Sequence, residues 1–152
     1  MLLRAGDTIS GSQASATAVI DGNVEQMFYA KALDAKLEKR KTVVKTLGGL
    51  AEQNKAAGWK GTGSLTIYYI TSIFRKAALK YAKTGVDTYF TITVVNEDMG
   101  STIGKQTITL FNCNIDTTTL AMLDVESDSL QEDLPFTFEG FDILDEFGKP
   151  II

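Results

Sequence analysis

The chain has 152 residues and a mass of 16.5 kDa, the size of one domain, and 44% of its residues are hydrophobic. It has no histidine and one cysteine, which excludes a Ser-His-Asp triad, a Cys-His pair, an internal disulfide and a cysteine-rich zinc site. No apolar run approaches the ~20 residues of a membrane span, and the run Met1–Leu3 is too short for a signal-peptide core. We therefore expect a protein without a membrane anchor that is cytoplasmic when it is made.

The charge is distributed unevenly along the chain. Residues 1–87 contain 13 lysines and arginines against 7 acids, whereas residues 88–152 contain 2 against 12. A basic first half suggests nucleic-acid binding. The alternative is that opposite patches meet, within one fold or between copies. We favour the alternative because the basic residues alternate with acidic ones.

The first third of the chain predicts an arm and a long strand. Residues 1–16 are small and polar, and predict a flexible arm that becomes ordered on a partner. A strand over 17–20 leads into Asp21-Gly22-Asn23, a hairpin-turn signal. A long strand is predicted from Glu25 to about Leu47, although its Ala, Lys, Glu and Leu residues also suit a helix. The period of two favours the strand: the set Leu33, Ala35 and Leu37 alternates with the set Asp34, Lys36 and Glu38.

The middle of the chain predicts a long loop, a strand and the one helix. Glycines bracket residues 48–61, which are predicted to form a functional loop. Its Trp59 is either an interface anchor or a cap on the sheet. A strand over 64–70 follows, and then a helix over 71–83 with Ser72 as N-cap and Gly85 at the C′ position. The predicted buried stripe of this helix consists of Phe74, Ala77, Ala78 and Tyr81, and its outward basic residues are Arg75, Lys76, Lys80 and Lys83.

The last third predicts three more strands. Residues 87–95 and 105–114 form a hairpin, and a strand or short turn lies near 118–125. Residues 130–144 form a last long strand, in which Phe136, Phe138 and Gly140 share one face and Pro135 marks an edge or a bulge. A tail over 145–152 with an apolar tip at 150–152 ends the chain.

No motif in the sequence indicates catalysis or a cofactor. Asp124, Glu126 and Asp128 are spaced like the start of a calcium loop, but Ser129 stands where the loop needs glycine and Pro135 where it needs a bidentate glutamate. We expect no metal site there. The glycines at 58–63 lack the phosphate-binding patterns and indicate close backbone approach. Cys113 is predicted to pack as a small hydrophobe.

Several segments together resemble one protein family. The most specific are LDVESD at 123–128 and LQEDLPFTFEGFD at 130–142. In the same order stand TISG at 8–11, GTG at 61–63, TSIF at 71–74 and DTYFT at 87–91. The chain resembles the core tail tube protein of PBSX-type contractile phage tails, a family that includes the tubes of phage-tail-like bacteriocins such as diffocins. The match is poorest around Gln13 to Asp21.

The resemblance implies a mainly β fold, a sandwich or barrel with one flanking helix, as a single tail-tube domain over 1–152. It implies that six copies form a ring around a lumen and that rings stack into a tube. The implied partners are other copies, the sheath, the tape-measure protein, the baseplate or hub, and the tail terminator. DNA would pass through only if the particle is a phage. The resemblance also implies that the protein is assembled in the bacterial cytoplasm and becomes part of a virion tail or a released tail-like particle. It implies passage through a target envelope, and a role without catalysis or cofactor.

Three sets of residues are candidates for these contacts. Inter-ring or subunit contact is expected at Ile9, Lys55, Trp59, Lys60 and Ile151. The lumen candidates are Asp34, Glu38, Glu126, Asp128, Glu132 and Glu139, because a conduit for DNA should repel phosphates weakly. The sheath or a neighbouring copy is expected at Arg75, Lys76, Lys80 and Lys83. The alternative function is a soluble β-rich nucleic-acid-binding module that uses the basic strand 36–45, and an enzyme is the third possibility.

Overall fold

Eight antiparallel strands and one helix make up the part of the chain that the computed structural model describes, residues 4–27 and 30–149. The elements are β1 (Ala14–Ile20), β2 (Asn23–Gln26), β3 (Ala30–Val44), β4 (Gln53–Tyr68), α1 (Ile73–Thr84), β5 (Phe90–Glu97), β6 (Lys105–Ile115), β7 (Gln131–Phe138) and β8 (Gly140–Asp145). The predicted mainly β fold with one flanking helix is confirmed. Over the described ranges, no helix is long and apolar enough to cross a membrane.

The strands form two sheets that share β6. One sheet has the order β2-β1-β5-β6-β8, and the other consists of β3, β4 and β7. They join where the end of β6 pairs with β7, at Asn114 opposite Thr137. Asn112 adopts a left-handed backbone conformation, with a φ of 52°, between the part of β6 that pairs with β8 and the part that pairs with β7. This local twist lets one strand serve both sheets.

The core lies between the two sheets and follows the period-two alternation of the strands. Leu65 and Ile67 of β4 and Ile92 of β5 are fully buried, and Leu134 and Phe136 of β7 lie against them. Phe136 and Phe138, which were predicted to share one face of a strand, are both buried. The single last strand predicted over 130–144 is wrong, because β7 ends at Phe138 and β8 starts at Gly140. Between them, the Glu139 N–H donates to the Phe111 carbonyl, so the chain turns from one sheet into the other.

Gly61 and Gly63 let two aromatic rings lie directly on the backbone of β4. Gly61 pairs with Phe138 and Gly63 with Phe136. A β-carbon at either glycine would lie 2.5 Å from the opposite ring. The close approach predicted for these glycines is therefore observed, but in the middle of a sheet and not in a loop.

The N-terminal segment is fixed to the body of the protein from residue 4 onward. Asp7 is buried and accepts hydrogen bonds from the Thr102 hydroxyl at 2.6 Å and the Arg4 N–H at 3.0 Å. Short 3₁₀ turns at Ala5–Asp7 and Gly11–Gln13 lead into β1. The flexible arm predicted over 1–16 is therefore wrong for residues 4–16, and residues 1–3 lie outside the described residues.

The turns and the helix end that were predicted from residue type are largely observed. Asp21 and Gly22 both have positive φ, 51° and 81°, as a two-residue hairpin turn requires. Gly85 is left-handed at the end of α1, and its N–H donates to the Tyr81 carbonyl. Ser72 is the N-cap residue of α1 as predicted, but its side chain makes no capping hydrogen bond. The long strand predicted over 25–47 is observed as β2 and β3, with Phe28 and Tyr29 outside the described residues. Residues 117–124 are irregular.

Candidate functional site

The most prominent exposed feature is a hairpin that extends beyond the sheet. Strands β3 and β4 pair from Ala30 to Val44, whereas β7 pairs with β4 only between Gly61 and Tyr68. Residues 38–60, here called the hairpin arm, therefore form a two-stranded ribbon, and every side chain in it is exposed. Each of its strands runs about 25 Å. The loop predicted over 48–61 is thus wrong: only residues 45–52 connect the strands.

Trp59 fixes the base of the hairpin arm to the two neighbouring strands. Its ring lies 6.1 Å from that of Phe138 and 5.9 Å, edge-on, from that of Phe141. The indole remains 40% exposed. Of the two predictions for Trp59, the structure therefore bears out a cap on the sheet. The contact with another ring predicted for Lys55, Trp59 and Lys60 stays a prediction, as it does for the half-buried Ile9. Ile151 lies outside the described residues.

A ribbon of two strands is marginally stable alone, and the hairpin arm contains a β-bulge near its base. The register shifts between Lys39 and Lys41 because β4 contains an extra residue there. Gly58 sits in this bulge with a φ of 130°, and the Arg40 guanidinium lies 2.8 Å from the position of its missing β-carbon. The bulge twists the distal half of the arm.

The outer surface of the β3-β4-β7 sheet is polar, and it is here called the polar face. Asp34, Lys36 and Glu38 pair with Ser64, Thr62 and Lys60 respectively, on the side opposite Leu33 and Leu65. The predicted alternation of β3 is confirmed. Two bonds order the polar face: the Thr66 hydroxyl donates to Asp133 at 2.7 Å, and the Ser64 N–H donates to Asp34 at 3.1 Å.

The six lumen candidates occupy different places. Asp34 and Glu38 lie on the polar face. Glu126 and Asp128 lie on the segment between β6 and β7, and the exposed Glu139 accepts a bond from Asn112 at the junction of β7 and β8. Glu132 is 2% exposed and faces the interior, so its predicted exposure is wrong. Asp133, which the sequence argument missed, occupies the polar face instead.

Glu132 forms a buried ion pair with the helix. Arg75 Nη1 lies 2.8 Å from Glu132 Oε2, and the guanidinium also donates to the Thr119 and Thr71 carbonyls and lies 4.3 Å from the centre of the Tyr69 ring. Glu132 Oε1 has no hydrogen-bond partner. Burial raises the pKa of Glu132, and the Arg75 charge only partly opposes this rise. The sequence did carry a signal: extending the alternation of buried β7 residues back by two positions reaches Glu132.

Arg75 is therefore turned inward, against its predicted outward position. Lys76, Lys80 and Lys83 are exposed as predicted. The predicted stripe is only partly buried. The centre of the Phe74 ring lies 6.1 Å from that of the Phe90 ring, whereas the Tyr81 side chain is 57% exposed. A cleft of about 450 Å³ lies between α1 and the strand ends. Because the helix does not pack on the sheet along its whole length, its contacts with the sheet come mainly from Phe74 and from the Arg75–Glu132 ion pair.

Residues 116–130 form an exposed acidic connection between β6 and β7, here called the acidic segment. It contains four carboxylates and no cation: Asp116, Asp124, Glu126 and Asp128. Leu123 and Val125, each 91% exposed, alternate with three of them. The Asp124 carboxylate accepts a bond from the Glu126 N–H at 3.0 Å, which closes a small turn. Both ends of the segment are fixed, because the Asp116 N–H donates to Pro135 and the Tyr69 N–H donates to Leu130.

Two side chains with shifted pKa values, Cys113 and Asp98, serve the fold. Cys113 is buried, and burial raises the pKa of its thiol to about 12. A thiol that stays protonated is a poor nucleophile. Backbone N–H groups of Ser10 and Gly100 lower the pKa of Asp98, whose carboxylate joins the N-terminal segment to the β5–β6 turn. Cys113 therefore packs in the core as predicted, and Asp98 fixes a surface turn.

Taken together, the shared-strand sandwich, the flanking helix and the projecting hairpin define a structural β protein of the tail-tube type. Residues 1–145 match the family model described as "Phage tail tube protein". The chain belongs to this phage tail tube family and is a structural component of a tail. It is 40% identical over 143 residues to the phage-like element PBSX protein XkdM of Bacillus subtilis (strain 168), covering 94% of this chain and 95% of that one.

Solved structures share the fold at low sequence identity. A chain in the six-fold symmetrised baseplate of the anti-feeding prophage superposes with a TM-score of 0.63 at 12% identity, over 87% of this chain and 92% of that chain. A chain in the sheath–tube complex of an extracellular contractile injection system, PVC, gives a TM-score of 0.64 at 8% identity, over 90% of both chains. The tail-tube fold expected from the sequence is confirmed.

Proposed function

We propose that six copies of this protein close into a ring and that the rings stack into the inner tube of a contractile tail. The observation that carries the proposal is the combination of an unpaired strand edge with the hairpin arm. Among the described residues, β3 pairs with β4 on one side only, from its first residue, Ala30, to its last, Val44. A long free edge invites pairing with another chain, and ring closure removes such edges. The six-fold symmetrised baseplate supports the copy number.

The hairpin arm contacts the adjacent ring. A two-stranded ribbon that projects into solvent gains little from its own chain, so a neighbouring copy supplies the packing it lacks. Lys55 and Lys60 contribute charge to this contact, and Trp59 holds the base of the arm in place. The sheath surrounds the tube, the tape-measure protein lies within it, and the baseplate or hub and the terminator close its ends. The sheath–tube complex supports the first of these partners.

The polar face lines the lumen. Acids and lysines alternate along it at Asp34, Lys36, Glu38, Lys60 and Asp133, and hydroxyls of threonine and serine separate them. A near-neutral wall of this kind does not hold DNA by counterion release, so DNA passes as cargo where the particle is a phage. The exposed Lys76, Lys80 and Lys83 of α1 face the sheath or a neighbouring copy. The tube is assembled in the bacterial cytoplasm and is driven through the target envelope on contraction, without catalysis.

Negative-stain electron microscopy of concentrated purified protein tests the proposal. We expect rings or tubes, and light scattering of the smallest assembled species should give a mass six times that of the chain. The alternative function, nucleic-acid binding through residues 36–45, predicts a monomer that binds DNA with strong salt dependence. A monomer at every concentration, with salt-sensitive DNA affinity, would replace the tube proposal by that alternative.

Shortening the hairpin arm tests its role directly. Replacing residues 42–55 by Asn-Gly leaves the Lys41–Ala56 pair as the last of the ribbon and provides a tight two-residue turn. All removed side chains are exposed, so the variant should fold and form rings. We expect these rings not to stack. Normal tubes from the shortened protein would show that the arm has no part in stacking.

A further inference from the structure

The hairpin arm and the acidic segment carry opposite charges of equal size. The arm, residues 38–60, has six lysines and arginines and two glutamates, a net charge of +4. The acidic segment, residues 116–130, has four carboxylates and no cation, a net charge of −4. Both are exposed to solvent, apart from half-buried positions in the segment. Two such patches of opposite charge attract each other at short range when they lie on different copies of the protein.

The tip of the arm and the end of the acidic segment lie beyond opposite ends of the same strand. The hairpin arm contains the start of β4 at Gln53, and the end of the acidic segment, Leu130, accepts a bond from the N–H of Tyr69, just beyond the end of β4. The eight residues of β4 outside the arm, 61–68, place the base of the arm about 26 Å from that point, and the start of β4 lies about 50 Å from it. The ion pairs found among the described residues are Arg75–Glu132 and Lys105–Asp145, and neither joins the two patches. Among the described residues, the acidic segment of one molecule therefore does not pair with the hairpin arm of the same molecule.

We propose that the hairpin arm of one copy docks on the acidic segment of a copy in the next ring. This inference rests on the proposed function and names the two surfaces that make the stacking contact. A contact between different patches on identical chains is heterologous, and one that does not close propagates into a filament. The direction of β4 then runs from ring to ring, with the basic end of one copy meeting the acidic end of the next.

The same two surfaces also supply apolar area to the contact. Leu123 and Val125 alternate with carboxylates on the acidic segment, and each is 91% exposed. The distal arm exposes Val43 at 52% and Leu47 and Leu50 completely. An apolar centre within a rim of charges is the usual composition of a specific interface. The charges give register and direction, and the apolar side chains add the buried area.

Charge reversal tests the contact, with purified full-length protein and tube formation as the readout. One variant reverses the arm from a net charge of +4 to −2 by Lys41→Glu, Lys45→Glu and Lys55→Glu. A second reverses the segment from −4 to +2 by Asp116→Lys, Glu126→Lys and Asp128→Lys. All six positions are exposed, so folding should be unaffected. We expect each variant to form rings, with the critical concentration for tubes raised by about tenfold or more because ring symmetry repeats each repulsion. The variant that carries all six changes should recover tubes, since attraction is restored with the signs exchanged.

A control changes the charge of the same arm in the opposite direction. Glu52→Lys makes the arm more basic, and tubes should form at least as readily as from unaltered protein. Mixing the arm-reversed and segment-reversed variants should also give tubes, because each supplies the patch that the other needs. Raising the salt from ~50 to ~500 mM should weaken stacking of unaltered rings, since it screens exposed charges.

The outcomes separate the two proposals. Tubes from the arm-reversed variant at the same critical concentration as unaltered protein would overturn the docking contact while leaving the tube intact. Failure of the variant with all six changes to recover tubes would likewise overturn it, given folded rings by circular dichroism and microscopy. The absence of rings and tubes from unaltered protein would overturn the proposed function, and the docking contact with it.

Discussion

Replacing Arg75 by methionine tests whether helix α1 is fixed to the sheet by a buried ion pair. The Arg75 side chain is 16% exposed and that of Glu132 is fully buried. Removing one partner of a buried pair leaves the other charge uncompensated, which destabilises a protein by about 3–5 kcal/mol. The double replacement Arg75→Met with Glu132→Leu removes both charges. It should therefore recover most of the loss, or even exceed the unaltered protein by about 1–4 kcal/mol.

The loss in the Arg75→Met variant should depend on pH. Burial raises the folded-state pKa of Glu132 above its ordinary value of 4.5, and without Arg75 nothing described opposes that rise. The folded state then holds the proton more tightly than the unfolded state. The free energy of unfolding should accordingly fall as pH rises from the unfolded pKa through the folded pKa, by at most about 1.4 kcal/mol per pH unit, and level off above. Below both pKa values the penalty is absent.

Urea unfolding of dilute protein, followed by fluorescence, measures this effect. Trp59 is the one tryptophan in the chain, and its packing on Phe138 and Phe141 makes it a reporter of the folded sheet. Lys76→Met is the matched control, because it removes an exposed cation from the next position of the same helix. We expect the control to change stability by less than about 0.5 kcal/mol, with no added pH dependence.

The reasoning would be refuted if Arg75→Met behaved like Lys76→Met. A similar small loss, independent of pH between ~4 and ~8, would mean that Glu132 is hydrated in the folded protein. Glu132 would then again be a candidate for the lumen wall, and the seating of α1 would have to come from Phe74 alone.

Three further substitutions or reactions follow from the packing. Gly63→Ala should destabilise the protein by about 1–3 kcal/mol, because its β-carbon would lie 2.5 Å from the Asp34 carbonyl and the Phe136 ring. Gly140→Ala is its control and should be near neutral in the same urea titration, since the nearest atom lies at 3.6 Å. Phe74→Ala should lower the free energy of unfolding by about 3–5 kcal/mol; a loss as small as that of the exposed Tyr81→Ala would place Phe74 on the surface. Cys113 should resist iodoacetamide at pH ~8 until urea unfolds the protein, because burial raises its pKa to about 12, and rapid labelling of folded protein would contradict its placement.

Local chemistry in the sequence predicted the elements whose shape depends on neighbours along the chain. The turn at Asp21 and Gly22 needs positive φ, which these residue types tolerate. The helix ends where Gly85 adopts a left-handed conformation. The alternation in β3 separates its apolar and polar faces, and the apolar positions 134, 136 and 138 point into the core. The family resemblance added the tail-tube fold and the structural role, whereas the pattern of strands alone left a β-rich nucleic-acid-binding module as an alternative.

Only the tertiary structure determined which polar residues are exposed and which segments are strands. Residues 53–60 have a polar, glycine-containing sequence typical of a loop, but they form a strand because β3 supplies hydrogen-bond partners opposite them. Glu132 and Asp133 are adjacent acids in the sequence, and the register of β7 turns one into the core and the other onto the polar face. Arg75 faces inward because Glu132, 57 residues away, lies opposite it. Such long-range pairings leave no periodic signature along the chain, since the stabilising partner is brought near only when the sheets form.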